Sequence, residues 1–155
     1  MSSDIFKLIP TDARWQPNTV QAGRARDLLA RLAPASPDRT DQHIELCWHA
    51  EIEFVDCGSN LETITCPRCR TAIDTGWWSE QLSERYDHGF ADLTTTMRCC
   101  RQELGFDELD YDWPCGFARF AIELWNPDRE RFSSEELAEL ADALGHEVHL
   151  IVAHI

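Results

Sequence analysis

The chain is short of basic charge, of long apolar runs and of the short motifs that mark many catalytic sites. Fourteen lysines and arginines face 28 aspartates and glutamates, a net charge of −14. Phosphate binding is driven by Lys/Arg contacts, so direct nucleic-acid binding is not expected. No apolar stretch approaches the ~18–20 residues that a membrane helix requires. The opening residues do not read as a signal peptide, because their apolar run is short and ends at Pro10. A cytoplasmic setting is therefore expected. No H-E-x-x-H, G-x-S-x-G, P-loop or G-x-G-x-x-G motif occurs, so no reaction class announces itself.

What is present suffices for one folded domain. The 155 residues lie within the ~100–200 usual for a domain. A chain of this length buries roughly 68–70% of its unfolded surface and needs neither disulfide nor metal merely to fold. Hydrophobic content of 43%, with six Trp and seven Phe, is too rich for disorder.

Charge is unevenly spread. Residues 1–40 hold four acids and six bases, whereas residues 41–155 hold 24 acids and eight bases. The contrast predicts two parts: an N-terminal arm with one helix, residues 1–36, and an acidic α/β domain, residues 37–155. In the arm, Ala25, Leu28, Leu29 and Leu32 recur at helical spacing. Asn18 or Thr19 can cap that helix and Pro34 stops it. Arg24, Arg26, Asp27 and Arg31 occupy its other face. Two readings stand: a helix packed on the acidic body with its arginines meeting carboxylates, or a detachable partner-binding arm.

From Ile44 the body alternates. Ile44, Leu46, Trp48, Ala50, Ile52 and Phe54 point one way, and Glu45, Cys47, His49, Glu51 and Glu53 the other. That is a half-buried strand or a bent pair of strands. Trp78, Leu82 and Tyr86 suggest a helix over about 77–88, capped by Asp74 or Thr75 and stopped by Gly89. Leu93 to Arg98 is strand-like, residues 104–114 an acidic loop or short helical turn, and Phe117 to Trp125 a strand. Ser133 and Glu136 form a capping box ahead of the Leu137, Leu140, Ala141, Leu144 stripe, which Gly145 closes. The apolar run Val148 to Val152 predicts a central final strand. The expected class is α+β: a ferredoxin-like βαββαβ sandwich with an extra N-terminal helix and a zinc-stapled loop. No internal repeat stands out.

Cys66-Pro67-Arg68-Cys69 is a C-x-x-C, and Cys99-Cys100 follows thirty residues later. Two thiolates at C-x-x-C spacing can ride one tight turn toward a tetrahedral ion. The expected cofactor is a structural zinc held by Cys66, Cys69, Cys99 and Cys100. The adjacent pair is the difficulty, because neighbours in an extended strand point opposite ways. A turn at Cys100-Arg101 must bring both sulfurs inward, or His88 must replace one. A redox pair, a disulfide framework and simple buried thiols are the alternatives. The redox reading suffers because a stretch of residues intervenes before the next helix. An odd count of seven cysteines speaks against the disulfide framework. Cys47, Cys57 and Cys115 read as packing. Four thiolates leave no position for water, so such a site is structural rather than catalytic.

No histidine forms a catalytic signature. His49 with Glu51 or Glu53 offers an acid/base pair, although an exposed polar strand face explains the same pattern. The stretch Glu103, Asp107, Glu108, Asp110, Tyr111, Asp112, Trp113 mixes carboxylates with aromatics. It lacks the ligand order and glycine of a calcium loop. It reads either as a solvated loop or as the surface that docks a basic protein partner, aromatics anchoring and carboxylates steering.

Several segments together resemble a family of small bacterial proteins without an assigned activity. They are Pro10-Thr11-Asp12 with Trp15 and Pro17, Phe54 to Asn60 leading into Cys66-Pro67 and Cys69, Trp77-Trp78, Cys99-Cys100, and Tyr111 to Phe120. Genome labels often call that family sugar transporter ATPases, which the missing Walker motif does not support here. The resemblance spans nearly the whole chain and implies a bacterial cytosolic setting, with the C-x-x-C and the Cys-Cys pair acting as a unit. In size and charge the chain is also similar to immunity proteins that neutralise bacterial toxins. The expected function is a non-enzymatic, zinc-containing acidic binding protein that neutralises a basic toxin. A metal- or His/Glu-dependent enzyme and a regulatory adaptor are the alternatives.

Overall fold

The computed structural model, which describes residues 2–38 and 40–155, begins with a strand where none was expected. Strand β1 (Asp4–Pro10) is buried at every residue after Asp4. A run that is apolar on both faces suits a central strand. Asn18 then caps helix α1 (Thr19–Leu32): its side chain accepts from the Gln21 amide, and Gln21 returns the bond to the Asn18 amide. Strand β2 (His43–Val55) follows, with its pairing interrupted between Trp48 and Glu53. Residues 56–115 form an insertion of short elements. They are β3 (Ile64–Thr65), α2 (Thr75–Tyr86), β4 (Thr94–Thr96), β5 (Glu103–Gly105), a 3-10 turn (Phe106–Glu108) and β6 (Asp110–Tyr111). The chain then closes with β7 (Gly116–Trp125), α3 (Ser134–Leu144) and β8 (Val148–His154). The Ser133/Glu136 capping box and a left-handed Gly145 (φ 91°) bound α3 as the sequence predicts.

The principal sheet has the order β2-β7-β1-β8 and is antiparallel throughout. β1 pairs with β7 from Ile5 opposite Trp125 to Leu8 opposite Ile122, and with β8 from Asp4 opposite His154 to Pro10 opposite Val148. Two short ladders, β3 with β6 and β4 with β5, belong to the insertion. Three α-helices and antiparallel sheets make the class α/β mixed, as expected.

Several element assignments need correction. The first 36 residues are not an arm, since β1 lies inside the principal sheet and α1 shares a core with α3. The charge contrast that suggested an arm comes from the exposed face, where Arg24, Arg26 and Arg31 meet solvent; burial is decided by Ala22, Ala25 and Leu29. The final strand is an edge, not central. Its apolar character has another cause. Leu150 and Val152 pack on the helix side, and residues 57–60 shield its open edge. There Gly58 bridges to His154, and the Asn60 side chain donates to the Val152 carbonyl. Gly58 has φ +64°, and a Cβ on it would run into the His154 carbonyl, so only glycine fits this approach. Finally, α2 and β4 belong to the insertion and not to the principal sheet.

Two main cores result. One lies between the principal sheet and α1 and α3, with Phe6, Leu8, Leu29, Phe120, Ile122 and Leu140. The other fills the insertion, with Ile64, Trp78, Phe90, Met97, Phe106 and Phe117. β2 serves both: Ile44 and Leu46 reach the first core, Ile52 and Phe54 the second, and the irregularity lies between them. A bulge re-aims side chains, which lets one strand feed two cores.

Candidate metal centre

Two tight turns build the site. After β3, the Cys66 amide donates to the Thr71 carbonyl (3.0 Å) and the Arg70 amide to the Cys66 carbonyl (2.9 Å). Between β4 and β5, the Met97 amide donates to the Gln102 carbonyl (2.9 Å) and the Arg101 amide to the Met97 carbonyl (2.8 Å). Arg70 and Arg101 both take left-handed backbone, φ 61° and 60°. That conformation is uncommon outside glycine and costs roughly 1–2 kcal/mol, so each turn is held by its surroundings.

The turns bring together the four expected thiols. The sulfurs of Cys66, Cys69, Cys99 and Cys100 all lie within 4.8 Å of one another. Cys66 and Cys100 are 3.9 Å apart. A tetrahedral site with Zn–S bonds of ~2.3 Å has S–S edges of about 3.8 Å, so the cluster has the dimensions of a metal site. An all-thiolate set suits a soft ion such as zinc and not magnesium or calcium. The anticipated difficulty over adjacent cysteines does not arise: Cys99 and Cys100 lie in the turn after β4, not in the strand. His88 is not in the group.

Burial and ionisation differ around the cluster. Cys66 is buried, Cys100 half-buried, and Cys69 and Cys99 are exposed. Hydrogen bonds from Thr71, then from Cys99 and Cys66, pull the Cys69 thiol down to about 6. Desolvation of its sulfur, then the neighbouring thiols, push Cys99 up to about 12. One thiol thus ionises readily while another resists, and a cation entering the cluster displaces protons.

Beside the cluster is a cleft of about 280 Å³ lined by Ala72, Ile73, Asp74, Trp77, Met97, Arg98 and Cys99. The Arg98 guanidinium stands 5.9 Å from the Trp77 ring centroid. Asp74 is committed as the cap of α2, its carboxylate accepting from Gly76 and Trp77.

The remaining cysteines pack elsewhere. Cys57 is buried in a small third cluster with Ile9, Ala121 and Ile151, and Cys47 and Cys115 pack against that cluster. Burial raises all three thiols, Cys47 to about 11.

The acidic stretch is partly structural. Glu108 accepts from the Gly105 amide (2.6 Å), Asp112 from the Glu62 and Trp113 amides, and Asp110 lies 3.9 Å from Arg70. Glu103, Asp107, Glu108, Asp110 and Asp112 are nevertheless exposed, and Trp113 is 42% exposed. Tyr111 differs. It faces the insertion core, with its hydroxyl donating to the Phe106 carbonyl (2.7 Å) and accepting from Trp78 Nε1 (3.3 Å).

His49 gains no partner in the proposed acid/base pair: among the described residues no hydrogen bond joins its ring to Glu51 or Glu53. A second donor group does form, from Glu45, Cys47 and Glu123, whose ligand atoms lie within 4.8 Å of one another. Sequence reading missed it because its members come from two strands. Register alone places Glu45 opposite Glu123, which in turn faces Lys7. Glu123 is already engaged, accepting from Trp125 Nε1 (3.2 Å).

Comparison with protein-family models, with curated proteins and with solved structures finds no match. Among the described residues, no helix is long and apolar enough to cross a membrane.

Proposed function

We propose that this protein is a non-enzymatic binding protein whose insertion is stapled by a structural zinc and whose acidic surface docks on a basic protein partner. The observation that carries the metal reading is the convergence of Cys66, Cys69, Cys99 and Cys100. Four thiolates fill a tetrahedron and leave no corner for water, which is the mark of a structural site. The ion would tie the turn after β3 to the turn after β4. The partner reading draws on the net charge of −14 and on exposed carboxylates beside the exposed Trp113. A basic toxin is the concrete partner we propose, with this chain as its inhibitor in the bacterial cytoplasm. We also read the principal sheet as ferredoxin-like, interrupted between its second and third strands. The β1-α1-β2-β7-α3-β8 order, the antiparallel pairing and the shared core of α1 and α3 support that reading.

Two measurements test the proposal. Metal analysis of untagged protein should find one zinc per chain, lost on Cys66→Ser; a metal-free protein of unchanged stability refutes the staple. Capture of a cationic partner should weaken steeply between ~0.1 M and ~1 M salt, as the screening length falls from ~10 Å to ~3 Å. Charge reversal at Glu103, Asp107 and Asp110 should weaken it too. Binding indifferent to both changes rejects the acidic docking surface.

A further inference from the structure

The two turns of the metal centre are copies of one plan. In the first hairpin Thr65 bridges to Ala72, and the Ile73 amide donates to the Ile64 carbonyl. In the second, 31 residues on, Thr96 pairs with Glu103 and Thr95 with Leu104. The turn bonds repeat as well. Cys66 amide to Thr71 matches Met97 amide to Gln102, and Arg70 amide to Cys66 matches Arg101 amide to Met97. Both turns place an arginine in left-handed backbone at the fifth position. Buried positions correspond: Ile64 with Thr95, Cys66 with Met97, Ile73 with Leu104. Each hairpin leads into a helical segment, α2 after the first and the 3-10 turn after the second.

The thiols break the match at one place. The first turn presents sulfur from its first and fourth positions, Cys66 and Cys69. In the second, the fourth position is Cys100, the counterpart of Cys69, but the first is Met97, buried to 1%. The missing thiol is made up by Cys99, the third position, where the first turn carries Arg68.

Building on the four-thiolate reading, we propose that the centre is a pair of matched metal-binding turns in which one ligand has moved. Met97 fills the place that pairs with Cys66, and Cys99 supplies the displaced ligand from the solvent side for a soft, thiophilic divalent ion. The consequence is an asymmetric site. The ligand at the first position of the first turn is buried, while its functional equivalent in the second is exposed and borders the cleft of Trp77, Met97 and Arg98. Cys99, like the exposed Cys69, is therefore a ligand open to solvent, chelators and thiol reagents, whereas Cys66 is shielded. A methionine in the vacated place preserves the packing of the second core while giving up a thiolate there.

Cobalt(II) is the probe, because its sulfur charge-transfer absorption grows with each Co–S bond. Wild type, Cys99→Ser, Met97→Cys/Cys99→Ser and Met97→Leu/Cys99→Ser are titrated. Losing even an outer-shell partner costs about 10–100-fold in metal affinity, so Cys99→Ser should lose no less, with a weaker charge-transfer band. Met97→Cys/Cys99→Ser should regain the wild-type band and affinity and release cobalt to a chelator more slowly than wild type. Met97→Leu/Cys99→Ser, which keeps the core filled without a thiol, should stay at the Cys99→Ser level. A full band in Cys99→Ser, or no recovery in Met97→Cys/Cys99→Ser, overturns the proposal. The single variant Met97→Cys, with all four original thiols, gives a reading that does not depend on the double variant folding. In its metal-loaded form, Cys99 should become open to maleimide while it stays protected in loaded wild type; protection in both overturns the proposal. Wild type that takes up no cobalt refutes instead the four-thiolate reading itself, so the two failures are told apart by the wild-type protein alone.

Discussion

Tyr111 shows how one side chain ties the insertion together. Its hydroxyl joins the Phe106 carbonyl to the Trp78 indole, and its ring meets Trp78 edge-on at 6.0 Å between centroids. Burial raises its phenol well above the usual tyrosine range, so it acts only as a neutral hydrogen-bonding group. Tyr111→Phe keeps the ring and strands a buried donor from Trp78 and the Phe106 acceptor. The expected cost is about 1–3 kcal/mol of stability, read as a lower urea midpoint with unchanged slope. An unchanged midpoint would mean that water replaces the hydroxyl. The sequence placed Tyr111 on a partner surface because it stands among carboxylates. Its neighbours in sequence do face solvent, but the β3–β6 ladder turns Tyr111 opposite Ile64 and toward the core.

At the scale of elements, helix starts were the most legible features. Asn18, Asp74 and Ser133 all cap as their side chains predict, since a cap is a local bond between residues three apart. The start of α3 carries an additional lock. Arg129 makes two bonds to the Glu136 carboxylate (2.6 and 2.9 Å), donates to the Leu32 carbonyl at the end of α1, and lies over the Phe132 ring at 4.4 Å. Hydrogen bonds from Arg129, then from the Ser133 amide, draw Glu136 down to about 2 from its ordinary 4.5. The sign follows. A carboxylate whose folded value is depressed stabilises the fold fully above 4.5, and that contribution fades as pH falls toward about 2. Urea midpoints should therefore drop between about pH 5 and about pH 3, and the drop should be shallower in Glu136→Gln. Equal slopes in the two proteins would show that the lock is absent in solution. β1 was the least legible element. Its Ile5 to Ile9 run is too short for periodicity to distinguish strand from helix, and nothing local says that two strands more than a hundred residues away will pair with it.

For the molecule as a whole, the separation of the two cores has a consequence. The cysteine cluster adjoins the insertion core through Cys66, Met97 and Cys100, whereas α1 and α3 pack on the other core. Stripping the proposed ion with a strong chelator should remove the insertion's constraint and spare the principal sheet. Hydrogen exchange should accelerate at amides of residues 64–73 and 95–106 while those of β1 and β7 remain protected. Uniform acceleration would instead make the two cores a single cooperative unit. Phe117, buried on β7 of the principal sheet, anchors the insertion core, where its ring meets Phe54, Phe90 and Phe106. Phe117→Ala should cost about 3–5 kcal/mol, measured by thermal or urea unfolding, and should loosen the insertion first.

What the sequence by itself determined was local: the caps, the α3 stripe, the strand character of β2 and the four cysteines worth singling out, while the alternation read across β2 breaks at the exposed Trp48 and Ala50. These rest on bonds and periodicities within a few residues, which composition and spacing record. Tertiary structure decided everything that depends on register. It put β1 in the middle of the principal sheet, sent β8 to an edge, and split β2 between two cores. It also exposed the duplicated turn, in which only Thr65 and Thr96, Cys69 and Cys100, and Arg70 and Arg101 are identical among the paired residues from 64 to 73 and 95 to 104. Backbone hydrogen bonds, not side-chain identities, carry that repeat. The second turn thus carries its extra thiol at the third position rather than the first, and the four sulfurs still lie within 4.8 Å of one another.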